Sequence, residues 1–215
     1  GRYLAASFKG EKHWVVWEIS SARVVLDNPH CEHGVTFSRD GTRFAASQPD
    51  GAIRLYDLSS GAEVASVKAG RPLDYLRLNP EADRVLGCVV GETEVGIWDF
   101  ATGKAQVFPA PDRLNSADWG TGDLIAAGSA TGRIYLWNAR TGQLRQIIEA
   151  HDHEVQQVTF NHRGDLLASS SWDGTTRFSN PWAGKVELTF PRSAQSLVFS
   201  RDDQQFSLVN LAVGT

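Results

Sequence analysis

The chain has 215 residues, of which 41% are hydrophobic and 21% are charged, and this length and balance fit one large globular domain with a real core. Its net charge is −4 and its lysines and arginines form no run, which argues against nucleic-acid binding, and no apolar stretch approaches the ~20 residues of a membrane span. Two cysteines do not make a disulfide scaffold, and the absence of methionine, even at position 1, predicts a segment of a longer protein.

The predicted strands follow one another in units of about 40 residues, each with four short strands that we name a to d in chain order. In the repeat at residues 29–69, the last residues of strand a are 35–38, strand b lies at 44–47 and strand c lies at 53–56. Strand b is small and apolar, strand c alternates apolar and polar side chains, and turns with Asp or Gly separate them. No segment has a helical period, so we predict an all-β fold. The units cover residues 1–28 (partial), 29–69, 70–109, 110–149, 150–191 and 192–215 (partial).

Strand c ends on an aromatic residue in five units, and an acidic or amide residue follows it in the first four. These aromatic residues lie 39 to 42 positions apart. A period of about 40 residues with an aromatic–acid pair is typical of a four-stranded β-propeller blade, so we predict a β-propeller. The aromatic anchors are Trp17, Tyr56, Trp98, Trp137 and Phe178.

The units resemble the WD (tryptophan–aspartate) repeat over essentially the whole chain, and residues 151–178 match it best. In that family a His before strand a, a Ser or Thr on strand b, an Asp in the b–c turn and the strand c Trp form a structural hydrogen-bond tetrad. The resemblance assigns the first three roles to His151, Ser169 and Asp173, whereas Phe178 stands at the Trp position and cannot donate a hydrogen bond. In the other units the His and turn Asp positions are not recognisably filled, so we expect degenerate tetrads and stability that depends on packing between sheets.

The repeat begins and ends partway through a unit, because residues 2–7 and 205–211 both have the pattern of strand b. The chain therefore holds about five blade-equivalents, which predicts a segment of a larger propeller, seven-bladed as is usual in the family. In the alternative, residues 195–199 supply strand a to the first blade and close a five-bladed ring. The repeated turn residues and loose tetrads resemble bacterial members of the family.

Two clusters contain side chains that could carry chemistry. Residues 29–33 hold two His, one Cys and one Glu, but structural zinc sites usually bring two separated ligand pairs and no second pair is present. Residues 150–154 could form a His–carboxylate pair, but no sequence motif marks a nucleophile. We therefore predict no metal, no cofactor and no catalytic residue. The alternative is a propeller-type hydrolase, in which Asp74 and Asp118 would converge with a His in a central channel.

The b–c and d–a connections are predicted to carry function, because binding surfaces prefer loops on a rigid scaffold and aromatic and Arg side chains make binding hot spots. We predict a non-catalytic scaffold that docks partner proteins there, with no nucleic acid and no membrane insertion, fused to other domains in a larger protein such as a signalling protein. The predicted partner-binding residues are Trp14, Trp172, His30, His33, Arg71, Arg113, His153 and Arg192.

Overall fold

The computed structural model describes residues 2–8, 13–29, 34–194 and 196–209. Within these residues all regular secondary structure is β-strand, and no helix is present. The predicted all-β fold class is therefore confirmed. It follows that the described part of the chain has no helix that could cross a membrane.

The described strands form six antiparallel sheets, and four of these sheets have four strands joined in chain order. This is the strand order of propeller blades, so the structure agrees with the predicted partial β-propeller. The first three sheets contain β1 (Tyr3–Phe8), β2 (His13–Glu18) and β3 (Arg23–Pro29); β4 (Val35–Phe37), β5 (Arg43–Ser47), β6 (Ala52–Asp57) and β7 (Glu63–Lys68); and β8 (Tyr75–Leu78), β9 (Arg84–Cys88), β10 (Glu94–Asp99) and β11 (Ala105–Pro109).

The last three sheets continue this pattern, although the sixth has two described strands. β20 pairs with β21, so residues 196–199 belong to the last sheet and not to the first, where the five-bladed alternative would have placed them. The strands are β12 (Leu114–Trp119), β13 (Leu124–Ser129), β14 (Arg133–Asn138) and β15 (Leu144–Glu149); β16 (Val155–Phe160), β17 (Leu167–Ser171), β18 (Thr176–Asn180) and β19 (Lys185–Phe190); and β20 (Ser196–Phe199) and β21 (Phe206–Val209).

The repeated aromatic residue of strand c coincides with a β-bulge. In the first, second, fourth and fifth sheets the register between strand c and strand d shifts beside Trp17, Tyr56, Trp137 and Phe178. A bulge bends the strand and increases its twist. The aromatic period therefore coincides with the bulge between strands c and d in these four sheets.

The chain consists of two compact units, one with the residues up to Gly87 and Ile97–Ala105, the other with Cys88–Gly96 and the residues from Gln106 onward. Each unit has its own core. In the first unit the ring of Trp14 in β2 packs 4.7 Å from the ring of Phe44 in β5, measured between centroids. In the second unit one cluster joins the β12–β15 sheet to the β16–β19 sheet, and its members are Leu124, Ala126, Ile134, Leu136, Ile148, Ala150, Val155, Val158, Phe160 and Leu167.

Candidate functional site

His151 lies at the centre of a buried hydrogen-bond network in the second unit. It stands in the d–a connection before β16, Ser169 lies on β17, and Asp173 lies in the turn between β17 and β18. The Nδ1 atom of His151 is 2.8 Å from the Oδ2 atom of Asp173, and its Nε2 atom is 2.8 Å from the hydroxyl oxygen of Ser169. The structure thus joins a connection, a strand and a turn through one imidazole ring.

The neighbouring b–c turn holds the backbone of His151 in place. The amide of His151 donates a hydrogen bond to the carbonyl oxygen of Gly132 over 2.9 Å. Gly132 has a φ of +88°, and a Cβ atom there would overlap the carbonyl oxygen of His151. Only glycine therefore allows this close approach between the fourth and fifth sheets.

The two neighbours of the ring determine its protonation. Asp173 only accepts hydrogen bonds when it is ionised, so the Nδ1–H group of His151 donates a hydrogen bond to that carboxylate. The Nε2 atom then carries no proton and accepts a hydrogen bond from the hydroxyl of Ser169. Burial lowers the pKa of His151, which keeps the ring neutral. Burial alone would raise the pKa of Asp173, but hydrogen bonds from Thr175 and His151 outweigh it and lower that pKa to about 2.

Acidification is expected to destabilise the second unit. The Asp173 pKa of about 2 lies below the ordinary value of 3.8, so its contribution of about 2 kcal/mol is present above pH 3.8 and is lost as the pH falls through 2. The lowered pKa of His151 acts in the same direction, because the unfolded imidazole binds a proton near its ordinary pKa of 6.5 and the folded one does not. Urea unfolding between about pH 7 and pH 2 measures this loss. A unit equally stable across that range would contradict the assignment.

The same three residues have the hydrogen-bond order of a Ser–His–Asp catalytic triad. Attack on a substrate would require the hydroxyl of Ser169 to reach solvent. However, Ser169 is 0% exposed and the side chain of His151 is also 0% exposed. The network therefore stabilises the fold and offers no nucleophile to a substrate.

Phe178, at the Trp position of the tetrad, takes a packing role. Its ring lies on β18 with its centroid 4.8 Å from that of Phe206 and 6.5 Å from that of Phe199, both in the sixth sheet. The aromatic cluster with Leu197 and Leu208 joins the last two sheets of the second unit. Apolar contact here replaces the hydrogen bond that an indole would donate.

The fourth sheet contains a network built on a carboxylate, which the sequence analysis missed. Asp112 lies in the d–a connection before β12, and its Oδ2 atom accepts hydrogen bonds from the hydroxyls of Thr131 and of Tyr135, the latter over 2.6 Å. The hydroxyl of Ser129 lies at 3.5 Å from the same oxygen. Asp112 is not the equivalent of His151, because it lies two residues before β12 whereas His151 lies four residues before β16.

The Asp112 network also determines the ionisation of its members. Burial and the hydrogen bond to Asp112 raise the pKa of Tyr135 to about 12, so its hydroxyl remains a donor. Burial alone would raise the pKa of Asp112, but the hydrogen bonds from Thr131 and Tyr135 lower it. A tyrosine in the interior of strand c and an acid before strand a were the signals that could have identified this network.

Side chains on the innermost strands connect neighbouring sheets of the second unit. The carboxylate of Asp118, which is 8% exposed, accepts a hydrogen bond from the backbone amide of Phe160 over 2.7 Å. The hydroxyl of Ser116 accepts one from the amide of Val158 over 3.1 Å. Asp118, which the hydrolase alternative would use in catalysis, thus holds two strands together. In the described residues no group of three or more His, Cys, Asp and Glu could hold a metal ion.

The predicted partner-binding residues have very different environments. Trp172 is 67% exposed in the turn between β17 and β18, and the remaining described members except Trp14 are exposed in d–a connections. His30 and His33 lie outside the described residues, as does the rest of the cluster at 30–33. The exposed members in d–a connections are Arg71, Arg113, His153 and Arg192.

Trp14 was wrongly placed on an exposed loop. It lies inside β2 and is 1% exposed, with its ring against Phe44. A ring without exposed surface cannot contact a partner protein. Trp14 is thus a core residue of the first unit. Of the two tryptophans predicted to bind partners, Trp172 is the exposed one.

Comparisons with known proteins agree with this architecture. Residues 142–178 match the family described as WD domain, G-beta repeat. The chain is 25% identical over its whole length to the "Periodic tryptophan protein 2 homolog" of Dictyostelium discoideum and covers 25% of that relative. Over 49% of its length the chain is 34% identical to the homolog in Schizosaccharomyces pombe, and it covers 13% of that relative. Over 76% of its length the chain is 24% identical to the "WD repeat-containing protein 91 homolog" of Dictyostelium discoideum, and it covers 22% of that relative.

The chain thus spans no more than a quarter of the length of these three relatives. They are eukaryotic, so they do not support the expectation of a bacterial-type member. The family match ends at Phe178 and includes His151, Ser169 and Asp173, the three residues of the buried network. Together these matches support the WD-repeat family for this chain, with residues 142–178 as the repeat that the family match covers.

Proposed function

We propose that the chain is a non-catalytic scaffold that presents the b–c and d–a connections of its sheets to partner proteins, with Trp172 as a principal contact. The observation that carries this proposal is the position of Trp172 between two buried groups. Ser171 is 0% exposed and the side chain of Asp173 is 8% exposed, yet the indole between them is 67% exposed. A large apolar ring held out in solvent by a buried turn is suited to protein binding.

The turn that carries Trp172 is fixed by hydrogen bonds. The amide of Trp172 donates to the carbonyl oxygen of Glu154 over 3.1 Å, and the hydroxyl of Ser171 donates to the carbonyl oxygen of His153 over 3.0 Å. Asp173, the next residue, is held by His151. Binding therefore costs little ordering of the backbone, since the turn is already in one conformation. The buried network would support recognition in this way without contacting the partner.

Charged side chains lie at the same ends of the strands as the proposed contact. Arg113, His153 and Arg192 are exposed in the d–a connections of the second unit. They would supply polar contacts around the indole, as in the rim of a protein interface. The net charge of −4 favours proteins over nucleic acids as partners. We extend the proposal to a scaffold within a larger multidomain protein, for which a signalling protein is one setting.

The replacement Trp172→Ala is expected to remove partner binding without unfolding the chain. Trp172 is 67% exposed, so loss of its indole should change stability by less than about 0.5 kcal/mol, whereas loss of a Trp hot spot weakens binding about thirtyfold. Partners captured on the immobilised wild-type chain would be identified by mass spectrometry and then measured individually against purified variants.

The matched control is Leu188→Ala, which removes another exposed apolar side chain from the outer strand β19. Purified partners should bind this control and the wild-type chain equally well. Equal affinities of the Trp172→Ala and wild-type chains for every partner would contradict the proposal.

A further inference from the structure

Trp182 and Arg145 form a fixed pair at the opposite ends of the strands from Trp172. Trp182 lies in the turn between β18 and β19 and is 42% exposed. Its indole nitrogen donates a hydrogen bond to the carbonyl oxygen of Gly164 over 3.0 Å, which fixes the plane of the ring. The guanidinium carbon of Arg145, on β15, lies 4.4 Å from the ring centroid. The stacked ring orients the guanidinium and leaves its edge, where the N–H donors lie, free for a ligand.

Neighbouring turns lie at the same ends of the strands as this pair and are linked to one another by hydrogen bonds. The carboxylate of Asp203, in the turn between β20 and β21, accepts hydrogen bonds from the amides of His162 and Arg163, each over 2.9 Å. The hydroxyl of Thr121, in the turn between β12 and β13, donates to the carbonyl oxygen of Arg163 over 3.0 Å. Three a–b turns are thereby joined edge to edge. We call the exposed members the Arg145–Trp182 surface: Arg145, Arg163, Trp182, Lys185 and Arg201.

The cations of this surface have unused capacity to bind anions. In the part of the chain that the structure describes, no carboxylate forms an ion pair with Arg145, Arg163, Lys185 or Arg201. The carboxylates in the same turns are already engaged within the fold. Asp165 accepts from the amide group of Asn161 over 2.6 Å, Asp202 from the hydroxyl of Ser200 over 2.6 Å, and Asp203 from the two backbone amides.

We propose that the Arg145–Trp182 surface binds an acidic peptide segment of a partner protein. A carboxylate can accept two parallel hydrogen bonds from the free edge of the Arg145 guanidinium, and Trp182 supplies apolar area beside it. A short acidic segment fits four cations set in a chain of net charge −4, whereas a long polyanion such as nucleic acid would meet repulsion from the rest of the protein. This binding does not depend on Trp172, which lies at the other ends of the strands.

The test is a titration of the purified chain into a fluorescein-labelled peptide of about ten alternating Glu and Gly residues, read by fluorescence anisotropy at low salt. The wild-type chain is expected to bind it, and affinity should fall as salt is added. Arg145→Gln and Trp182→Ala are each expected to weaken binding about tenfold or more. Arg145 is exposed and its guanidinium lies over the Trp182 ring, so Arg145→Gln should leave the fold intact and decides the result even if Trp182→Ala is less stable.

The charge-matched control is Lys104→Gln, which removes one exposed cation from the turn before β11 in the other unit. It should bind the peptide within about twofold of the wild-type chain. The proposal is overturned if the wild-type chain does not bind, if Lys104→Gln weakens binding as much as Arg145→Gln, or if an oligonucleotide of equal charge binds more tightly. Because the peptide is a defined probe, this result is independent of the partner measurements on Trp172→Ala.

Discussion

The replacement His151→Ala is expected to lower the free energy of unfolding of the second unit by about 3 kcal/mol. The ring is the shared partner of Asp173 and Ser169, and its removal takes one hydrogen bond from a buried carboxylate and one from a buried hydroxyl, although Thr175 still donates to Asp173. A buried charge that loses its partner costs more than a neutral group does. Because a domain is stable by only about 5–15 kcal/mol, this loss would shift the urea midpoint strongly.

The measurement is urea unfolding combined with hydrogen exchange of the amides in β16, β17 and β18, the strands that the network joins. The matched control is Asp152→Ala, one residue away, whose side chain is 91% exposed. It should change stability by no more than about 0.5 kcal/mol. Similar effects of the two replacements would show that the His151 network does not stabilise the second unit.

The network also explains how much of the site the sequence could predict. His151, Ser169 and Asp173 follow the family pattern and meet within hydrogen-bond distance in the structure. Their burial could not be read from the pattern, since the same residue types in the same order would suit a catalytic triad. Exposure depends on how the adjacent sheet packs, which is not a local property of the sequence.

The acid-centred network in the fourth sheet was missed for a chemical reason. An imidazole both donates and accepts hydrogen bonds, whereas an ionised carboxylate only accepts them. Asp112 therefore needs hydroxyl donors, and Thr131 and Tyr135 provide them. These residues belong to three separate segments, so a search for His at a fixed position cannot find them.

The strand c positions were predictable because their determinants are local. Alternation of apolar and polar side chains, a terminal aromatic residue and turns on either side identify this strand, and the structure has β6 at Ala52–Asp57, where residues 53–56 were predicted. The bulge beside Trp17, Tyr56, Trp137 and Phe178 was not predictable in this way. It depends on the pairing of strand c with strand d, whose register the period does not determine.

The error at Trp14 shows how the same period could have been used further. Counting three residues back from the anchors Tyr56, Trp98 and Trp137 gives Ile53, Val95 and Ile134, and all three are buried in strand c. The equivalent position before Trp17 is Trp14 itself. Its polar neighbours suggested a loop, but β2 begins at His13 and has the six residues of a full strand c.

The replacement Trp14→Ala is therefore expected to destabilise the first unit by about 4 kcal/mol. The change removes a large ring that is 1% exposed and packs against Phe44, and the cavity that remains would lie between two sheets. Trp14→Phe should cost much less. The phenyl ring fills most of the space, and in the described part of the chain the buried indole nitrogen has no hydrogen-bond partner to lose.

Urea unfolding of Trp14→Ala, Trp14→Phe and Trp172→Ala separates packing from binding. Trp172→Ala removes the same side chain from an exposed turn and should unfold within about 0.5 kcal/mol of the wild-type chain. If Trp14→Ala were as stable as Trp172→Ala, the indole of Trp14 would not be part of the core, and its role in partner binding would return. If Trp14→Ala unfolds at a lower urea concentration than Trp172→Ala, the sheets of the first unit depend on the Trp14 ring, and partner binding must rely on side chains at other positions.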